Sequence, residues 1–162
     1  MTVLRYKSAK YSIERPLHLG TALAGGTPEL LAEMTAFGLP LGEAFQLRDD
    51  LLGVFGDPDT TGKPAGDDLV EGKRTVLVAL ALDAAPAGDA ALLDRSLGTA
   101  LTTDEVERLR EIIDASGAHA QVEAVIDQLT DVALAALDRA RIDDGAREVL
   151  RGLASAVTHR VV

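Results

Sequence analysis

The sequence predicts an all-α fold, and three observations support this prediction. Apolar residues recur at helical spacing along almost the whole chain of 162 residues. Residues that typically begin helices and glycines that typically end them alternate with these apolar segments. The strict alternation of apolar and polar residues that marks a half-buried strand is not found. We therefore expect a helical bundle, of a length suited to one domain or to half of a larger helical domain.

The first helical segment is predicted over residues 4–23, where Pro16 makes it either two short helices or one kinked helix. Thr27, Pro28 and Glu29 then combine an N-cap, a proline at the first helical position and an acid in the first turn. The helix that they begin is apolar on nearly every face over residues 30–55. Such a helix is typical of the middle of a bundle.

A loop rich in Gly, Pro and Asp is predicted over residues 56–72, and a loop of this length is often functional. Five further helices follow it, each predicted from apolar spacing and from local start or stop residues. They cover residues 74–84, 89–97, 103–115, 118–140 and 143–160.

The composition excludes several classes of protein. The chain has 26 Asp and Glu against 16 Lys and Arg, so its formal charge of −10 repels nucleic-acid phosphates. Only 3% of the residues are aromatic and none is Trp, which argues against stacking of single-stranded bases. The absence of Cys excludes disulfides, thiolate nucleophiles and zinc sites built on Cys.

No membrane or targeting segment is predicted. Charged residues near the start stand where a signal peptide has its apolar core. The longest apolar stretches, such as residues 76–82, are far shorter than the roughly 20 residues of a bilayer span. We therefore expect a cytoplasmic protein without a membrane span.

Two adjacent acids interrupt the apolar helix near its end. Asp49 and Asp50 would be expensive to desolvate unless a cation compensates them. Magnesium is suited to this, because it takes one or two carboxylates together with water and phosphate oxygens. Gln46 lies three residues before Asp49, on nearly the same helical face. The alternative is an exposed helix end whose two acids are simply solvated.

Basic residues suited to phosphate occur on both sides of this helix. Lys63 and Lys73 each follow a glycine in the loop, and Arg74 stands where the next helix is expected to begin. Upstream, Lys7 and Ser8 belong to a basic segment of an otherwise acidic chain. The alternatives are a charge-balanced solvated loop and a solvated basic face.

These motifs together resemble one family. The run Phe45-Gln-Leu-Arg-Asp-Asp-Leu-Leu-Gly53 precedes Gly-Lys at 62–63, Gly-Asp-Asp-Leu at 66–69 and Gly-Lys-Arg-Thr at 72–75. This order resembles the second aspartate-rich region of the trans-prenyltransferases, the polyprenyl and geranylgeranyl diphosphate synthases. Tyr-Lys-Ser-Ala at residues 6–9 resembles the Lys-Thr motif of that family, with Ser in place of Thr.

The chain departs from the family pattern in two ways. The second motif usually reads Asp-Asp-x-x-Asp, whereas the third acid is here Gly53. The first aspartate-rich motif, which lies upstream of the Lys-Thr motif in the family, has no counterpart in residues 1–162. We therefore expect residues 1–162 to be the C-terminal portion of a single isoprenoid synthase domain about twice as long.

The resemblance implies a helical bundle of the isoprenoid synthase type and a Mg²⁺-dependent condensation of isopentenyl diphosphate with an allylic diphosphate. It implies that Asp49 holds Mg²⁺ with support from Asp50. The leaving diphosphate is expected to be neutralised by Lys7, Lys63 and Lys73. Gln46 and Ser8 are expected to line the reacting carbons. The partners implied are the two diphosphates and an N-terminal half or synthase subunit, with a homo-oligomer also compatible.

The chain is accordingly interpreted as a fragment, or as one half of a split enzyme, of the geranylgeranyl diphosphate synthase type. Because the first motif is missing, the chain alone is expected to be inactive. The alternative is a non-catalytic helical partner of a full-length synthase, or the remnant of a broken gene. A terpene cyclase of the same fold is a weaker interpretation, since its metal motif usually differs from the one found here.

Overall fold

The computed structural model describes residues 5–58, 62 and 66–159, with side chains from Ala9 onward. Within these residues all regular structure is helical, which confirms the predicted all-α fold. A π-helix spans Arg5–Glu14. The α-helices that follow are α1 (Arg15–Leu23), α2 (Pro28–Phe55), α3 (Asp67–Val70), α4 (Val76–Ala84), α5 (Ala87–Ser96), α6 (Thr103–Ala115), α7 (Ala118–Arg139) and α8 (Asp144–Thr158).

The local start signals explain where these helices begin. The first segment is divided into a π-helix and α1, which follow each other directly, and Pro16 lies in the first turn of α1. The hydroxyl of Thr75 accepts a hydrogen bond from the Val78 amide at 3.4 Å and caps α4. Arg74 therefore precedes this helix rather than opening it. The short helix α3, inside the predicted loop, was not expected.

Helix α2 buries one stripe of side chains rather than its whole circumference. The buried apolar side chains recur every three or four positions, namely Met34, Phe37, Leu41, Ala44, Leu47, Leu51 and Val54. The other large apolar residues of the helix are only half-buried, namely Leu30, Leu31, Leu39, Phe45, Leu52 and Phe55. Within the described residues, α2 is therefore buried along one stripe, whereas the sequence predicted a helix surrounded on nearly every face.

The described residues group into two compact units, and each of the long helices α2 and α7 contributes to both. The first unit contains the residues up to Arg48 and those from Val125 onward. Its core is formed by Phe37, Leu41, Ala133, Ala136, Leu137 and Ala154.

An apolar cavity of about 810 Å³ opens beside this core, between α1, the start of α2 and α8. Large apolar side chains of the same unit are exposed, with Leu23 at 81% and Leu19 at 63%.

The turn between α7 and α8 is fixed by a single arginine. The guanidinium of Arg147 donates hydrogen bonds to the carbonyls of Leu137, Ala140 and Ile142, the last two at 3.0 and 3.2 Å. These carbonyls belong to the end of α7 and the turn after it, where helical partners are missing. Asp143 caps the N-terminus of α8 directly after this turn.

The second unit contains the described residues from Asp49 to Ala124. Its fully buried side chains come from every helix of the unit and include Leu51, Leu69, Leu77, Leu93, Leu109 and Ile113. Helix α6 begins with a capping box, in which Thr102 and Glu105 exchange backbone and side-chain hydrogen bonds of 3.3 and 2.8 Å. At the end of α2 the carbonyl of Val54 accepts a hydrogen bond of 2.7 Å from Arg110.

In the part of the chain that the structure describes, no helix has both the length and the apolar character needed to cross a membrane.

Candidate functional site

The two motif acids lie side by side on α2 but in different surroundings. Asp49 is exposed, whereas Asp50 is buried with only 8% of its surface accessible. Successive helical residues are about 100° apart, so one acid faces solvent while the next faces the protein. Gln46, one turn earlier, is half-buried. The helix therefore presents one open carboxylate, with a second, enclosed carboxylate next to it.

The residue directly before these acids is a buried cation. Arg48 is 6% exposed, and its Nε donates a hydrogen bond of 2.7 Å to the carbonyl of Thr158. Thr158 is the last residue of α8, so the positive guanidinium meets the negative end of the helix dipole. The motif helix is thereby tied to a residue 110 positions away in the chain.

The carboxylate of a residue later in the chain lies next to position 53, where the motif lacks its third acid. The carboxylate of Asp68 lies directly against Gly53, and a Cβ at residue 53 would come within 2.2 Å of Asp68 Oδ2. Asp68 is itself buried, with 6% of its surface exposed. It reaches this position from α3, whose N-cap residue Gly66 has a φ of 69°, a conformation that favours glycine.

Lys73 provides the counter-charge for this carboxylate. Its ammonium lies 2.5 Å from Asp68 Oδ1 and 2.7 Å from Glu71 Oε2. The hydrogen bond to Asp68, and next the one to Glu71, raise the pKa of Lys73 well above its usual range. The lysine predicted to bind diphosphate is therefore held by two acids, although its side chain remains 44% exposed.

The carboxylate donors near the motif are of the kind that Mg²⁺ prefers. Asp49 offers an exposed oxygen donor that can meet a hydrated ion. Asp67, Asp68 and Glu71 form a separate cluster whose oxygens lie within 4.8 Å of one another, and neither Asp49 nor Asp50 belongs to it. Two acids of this cluster share the single ammonium of Lys73, whereas Asp49 lies outside the cluster.

Three of the predicted site residues cannot be placed in this geometry. The backbone of Lys7 and Ser8 belongs to the π-helix, but their side chains lie outside the described part of the chain. Lys63 lies outside the described residues. Their assignment to the diphosphate and to the reacting carbons stays a prediction.

Sequence reasoning missed the contact between Gly53 and Asp68 and the buried bond of Arg48. The first had a signal, because a glycine replaces the expected acid and a pair of acids follows in the loop. The signal for the second was weaker: Arg48 is a charged residue within an apolar run, where a charge needs a partner inside the protein.

Comparisons with known proteins agree with the motifs. The sequence profile of the polyprenyl synthetase family matches residues 1–115. The chain is 36% identical over 150 residues to a geranylfarnesyl diphosphate synthase of Aeropyrum pernix, covering 92% of this chain and 46% of the relative. It is also 36% identical over 121 residues to a geranylgeranyl diphosphate synthase of Mycobacterium tuberculosis, covering 74% of this chain and 34% of the relative. The chain thus spans less than half the length of these relatives.

Solved structures give the same result for the fold. A geranylgeranyl pyrophosphate synthase of Corynebacterium glutamicum, complexed with isoprenyl diphosphate and magnesium, is 49% identical with a TM-score of 0.95. The match covers 99% of this chain and 46% of that structure. A polyprenyl synthase of Caulobacter crescentus is 34% identical with a TM-score of 0.86, over 98% of this chain and 48% of that structure. Together with the ordered motifs, these matches show that the chain belongs to the polyprenyl synthetase family.

Proposed function

We propose that this chain is the part of a geranylgeranyl-type diphosphate synthase that carries the second aspartate-rich motif. In this function it takes part in the condensation of isopentenyl diphosphate with an allylic diphosphate. The observation that carries the proposal is the 49% identity and TM-score of 0.95 to the Corynebacterium glutamicum synthase, which was solved with isoprenyl diphosphate and magnesium. The first aspartate-rich motif comes from another polypeptide segment.

In this reaction the allylic carbon–oxygen bond breaks, and the bonding electrons leave with the diphosphate. The alkene of isopentenyl diphosphate then attacks the allylic carbon, and a proton is lost. Because negative charge develops on the leaving diphosphate, catalysis depends mainly on cations positioned around it. Bound Mg²⁺ supplies such charge, and Asp49, with Asp50 beside it, would hold it.

The lysines take the second part of this task. Lys7, Lys63 and Lys73 neutralise the diphosphate, and Gln46 and Ser8 line the reacting carbons. An ammonium group has three N–H donors, and in the described residues Asp68 and Glu71 take two of those of Lys73. The exposure of this side chain leaves the third donor available to a phosphate oxygen.

The proposal is tested by prenyl transfer with labelled isopentenyl diphosphate, an allylic primer and Mg²⁺. The chain alone should form no product, because residues 1–162 lack the first aspartate-rich motif. Each 1.36 kcal/mol of transition-state stabilisation lost in this way lowers the rate about tenfold. Co-expression with the segment of the Corynebacterium glutamicum synthase that lies outside the match should restore product formation. The matched control is the same pair carrying Asp49→Ala, which should lose most of the restored rate.

Two results would contradict the proposal. Product formation by the chain alone, at the rate of a complete enzyme, would show that it needs no second segment. An assembled pair that forms no product would favour a non-catalytic helical partner, and a restored rate that is unaffected by Asp49→Ala would contradict the proposed role of Asp49.

A further inference from the structure

Helix α8 is connected to the motif helix α2 near both of its ends. Near the start of α2, the carboxylate of Glu33 accepts two hydrogen bonds of 2.9 Å from the amide and the Nε of Arg141, which lies shortly before α8. Near the end of α2, Arg48 donates its bond of 2.7 Å to the carbonyl of Thr158, the last residue of α8. The two helices therefore run in the same direction between these connections, over about 22 Å.

The two connections differ in their access to water. Arg141 is exposed and Glu33 is half-buried, and an ion pair in contact with solvent contributes little to stability. Arg48 and Thr158 are both buried. A buried carbonyl that loses its donor has no water to replace it, so this bond is costly to break. The bond of Arg48 is therefore the connection that holds the end of α8 against α2.

The direction of Asp49 depends on the rotation of α2 about its own axis. Asp49 follows Arg48 directly, and the two side chains project about 100° apart around the helix. Because Asp49 is exposed, packing of its own side chain does not fix its direction. The backbone sets this direction, and at this level of α2 the backbone is held through the buried side chain of Arg48. Such control matters, since a misplacement of about 1 Å can lower a rate about 100-fold.

We propose that Arg48 is a positioning residue: its buried bond to the end of α8 sets the rotation of the motif helix and thereby the direction in which Asp49 meets Mg²⁺. The inference rests on the proposed function, in which Asp49 holds this ion. It adds that α8 supports the motif from 110 positions further along the chain.

Two substitutions of Arg48 form a matched pair. Arg48→Gln and Arg48→Met both remove the guanidinium charge and have side chains of similar length. The amide nitrogen of Gln is as many bonds from Cα as the Nε of Arg, so it can donate to the same carbonyl, whereas Met has no donor. The difference between the two variants therefore measures the bond to Thr158.

The connection is tested first, by amide hydrogen exchange of the whole chain in metal-free buffer. Arg48→Met should accelerate exchange about tenfold or more in two separate segments, the turn of α2 around Asp49 and the last turn of α8, because local opening of both is opposed by this bond. Arg48→Gln should stay within about threefold of the parent chain in both segments.

Thr158→Val is the control for a merely local loss of stability. It keeps the backbone carbonyl that accepts the bond, but it removes the hydroxyl that donates 3.0 Å to the carbonyl of Ala154. Exchange should accelerate in α8 and not in α2. Equal acceleration in α2 by Thr158→Val and Arg48→Met, or equal exchange in the two Arg48 variants, would overturn the proposed connection.

The positioning role is tested in the assembled pair, by the Mg²⁺ concentration needed for half-maximal prenyl transfer. Loss of a residue that orients a metal ligand typically costs about 10–100-fold in metal affinity or activity. Because Arg48 acts through the backbone, we expect the lower end, a rise of about tenfold in Arg48→Met. Arg48→Gln and Thr158→Val should both stay within about threefold of the parent pair.

The outcomes separate this inference from the proposed function. If the parent pair is active and Arg48→Met needs no more Mg²⁺ than the parent, Arg48 has only a structural role, and the inference is wrong while the proposed function stands. If the parent pair forms no product, the proposed function is wrong, and the positioning role that rests on it is wrong as well.

Discussion

Replacing Lys73 with Met removes the cation that balances a buried acid. The Asp68 side chain is 9% exposed and its carboxylate lies 2.5 Å from the Lys73 ammonium. Breaking one partner of a fully buried ion pair costs about 3–5 kcal/mol. Because the Lys73 side chain is 44% exposed, water can partly replace it, and we expect about 2–3 kcal/mol here. This corresponds to a fall in Tm of about 4–12 °C for a chain of this length.

The neighbouring residue provides the control. Arg74 pairs with Asp94 at 2.8 Å, but both side chains are more than half exposed, at 64% and 55%. An exposed pair contributes about 0–1 kcal/mol, so Arg74→Met should lower Tm by less than about 4 °C. Far-ultraviolet circular dichroism melts of both variants measure the difference. Equal losses of Tm in the two variants would refute the reasoning.

The same pair predicts a dependence on pH. Hydrogen bonds to Asp68, and then to Glu71, raise the pKa of Lys73 above its usual 10.5. A group whose pKa is raised on folding contributes its full stability below the unfolded pKa and loses it as the pH rises through the folded pKa. The gap in Tm between the parent chain and Lys73→Met should stay constant from pH 7 to about pH 10 and narrow above that. A gap that closes near neutral pH would contradict this assignment.

Three further predictions concern buried and exposed side chains. In the assembled enzyme, Asp49→Ala should lower turnover more than Asp50→Ala and raise the Mg²⁺ concentration needed for half-maximal rate. Asp50→Ala should lower Tm more than Asp49→Ala, because Asp50 is buried. Small effects that are similar for both variants, in kinetics and in melts, would favour two solvated acids. Arg48→Met should destabilise the chain by about 1.5–3 kcal/mol in denaturant titrations, because a buried charged hydrogen bond is lost, and no loss would contradict that bond. Because Leu19 and Leu23 are exposed, the chain alone should bind a hydrophobic dye and self-associate in sedimentation experiments. The double variant Leu19→Ser with Leu23→Ser should do both to a smaller extent. A monomeric chain that binds no dye would show that its apolar surface is covered.

The helices were predictable because their signals are local. The start of α2 could be identified from Thr27 and Pro28, and that of α6 from Thr102 followed by Glu105 three residues later. Helix α3 was missed because it has only four residues, between glycines in a segment with the composition of a loop. Its stability comes from tertiary contacts of Leu69 rather than from propensity, and such contacts have no local signature.

The site was predictable in its residue types but not in its contacts. Asp49 and Asp50 could be identified from their cost on an apolar helix, yet which of them is exposed depends on the neighbours of α2. The contact between Gly53 and Asp68 joins residues 15 positions apart in the chain. The bond from Arg48 to Thr158 joins residues 110 positions apart. Contacts of this kind are set by packing, which one sequence does not reveal.

The most direct test of the account is a chimera in one polypeptide. The matched segment of the Corynebacterium glutamicum synthase, 46% of that chain, is replaced by this chain, so that assembly of two fragments is not required. Prenyl transfer from isopentenyl diphosphate to an allylic primer is then measured with Mg²⁺, for the chimera and for its Asp49→Ala variant. We predict turnover within about tenfold of the parent enzyme, a cost of no more than about 1.4 kcal/mol in barrier, and its loss on Asp49→Ala. A chimera that folds with the parent's helical content but transfers no prenyl group would contradict the claim that this chain carries a working second motif.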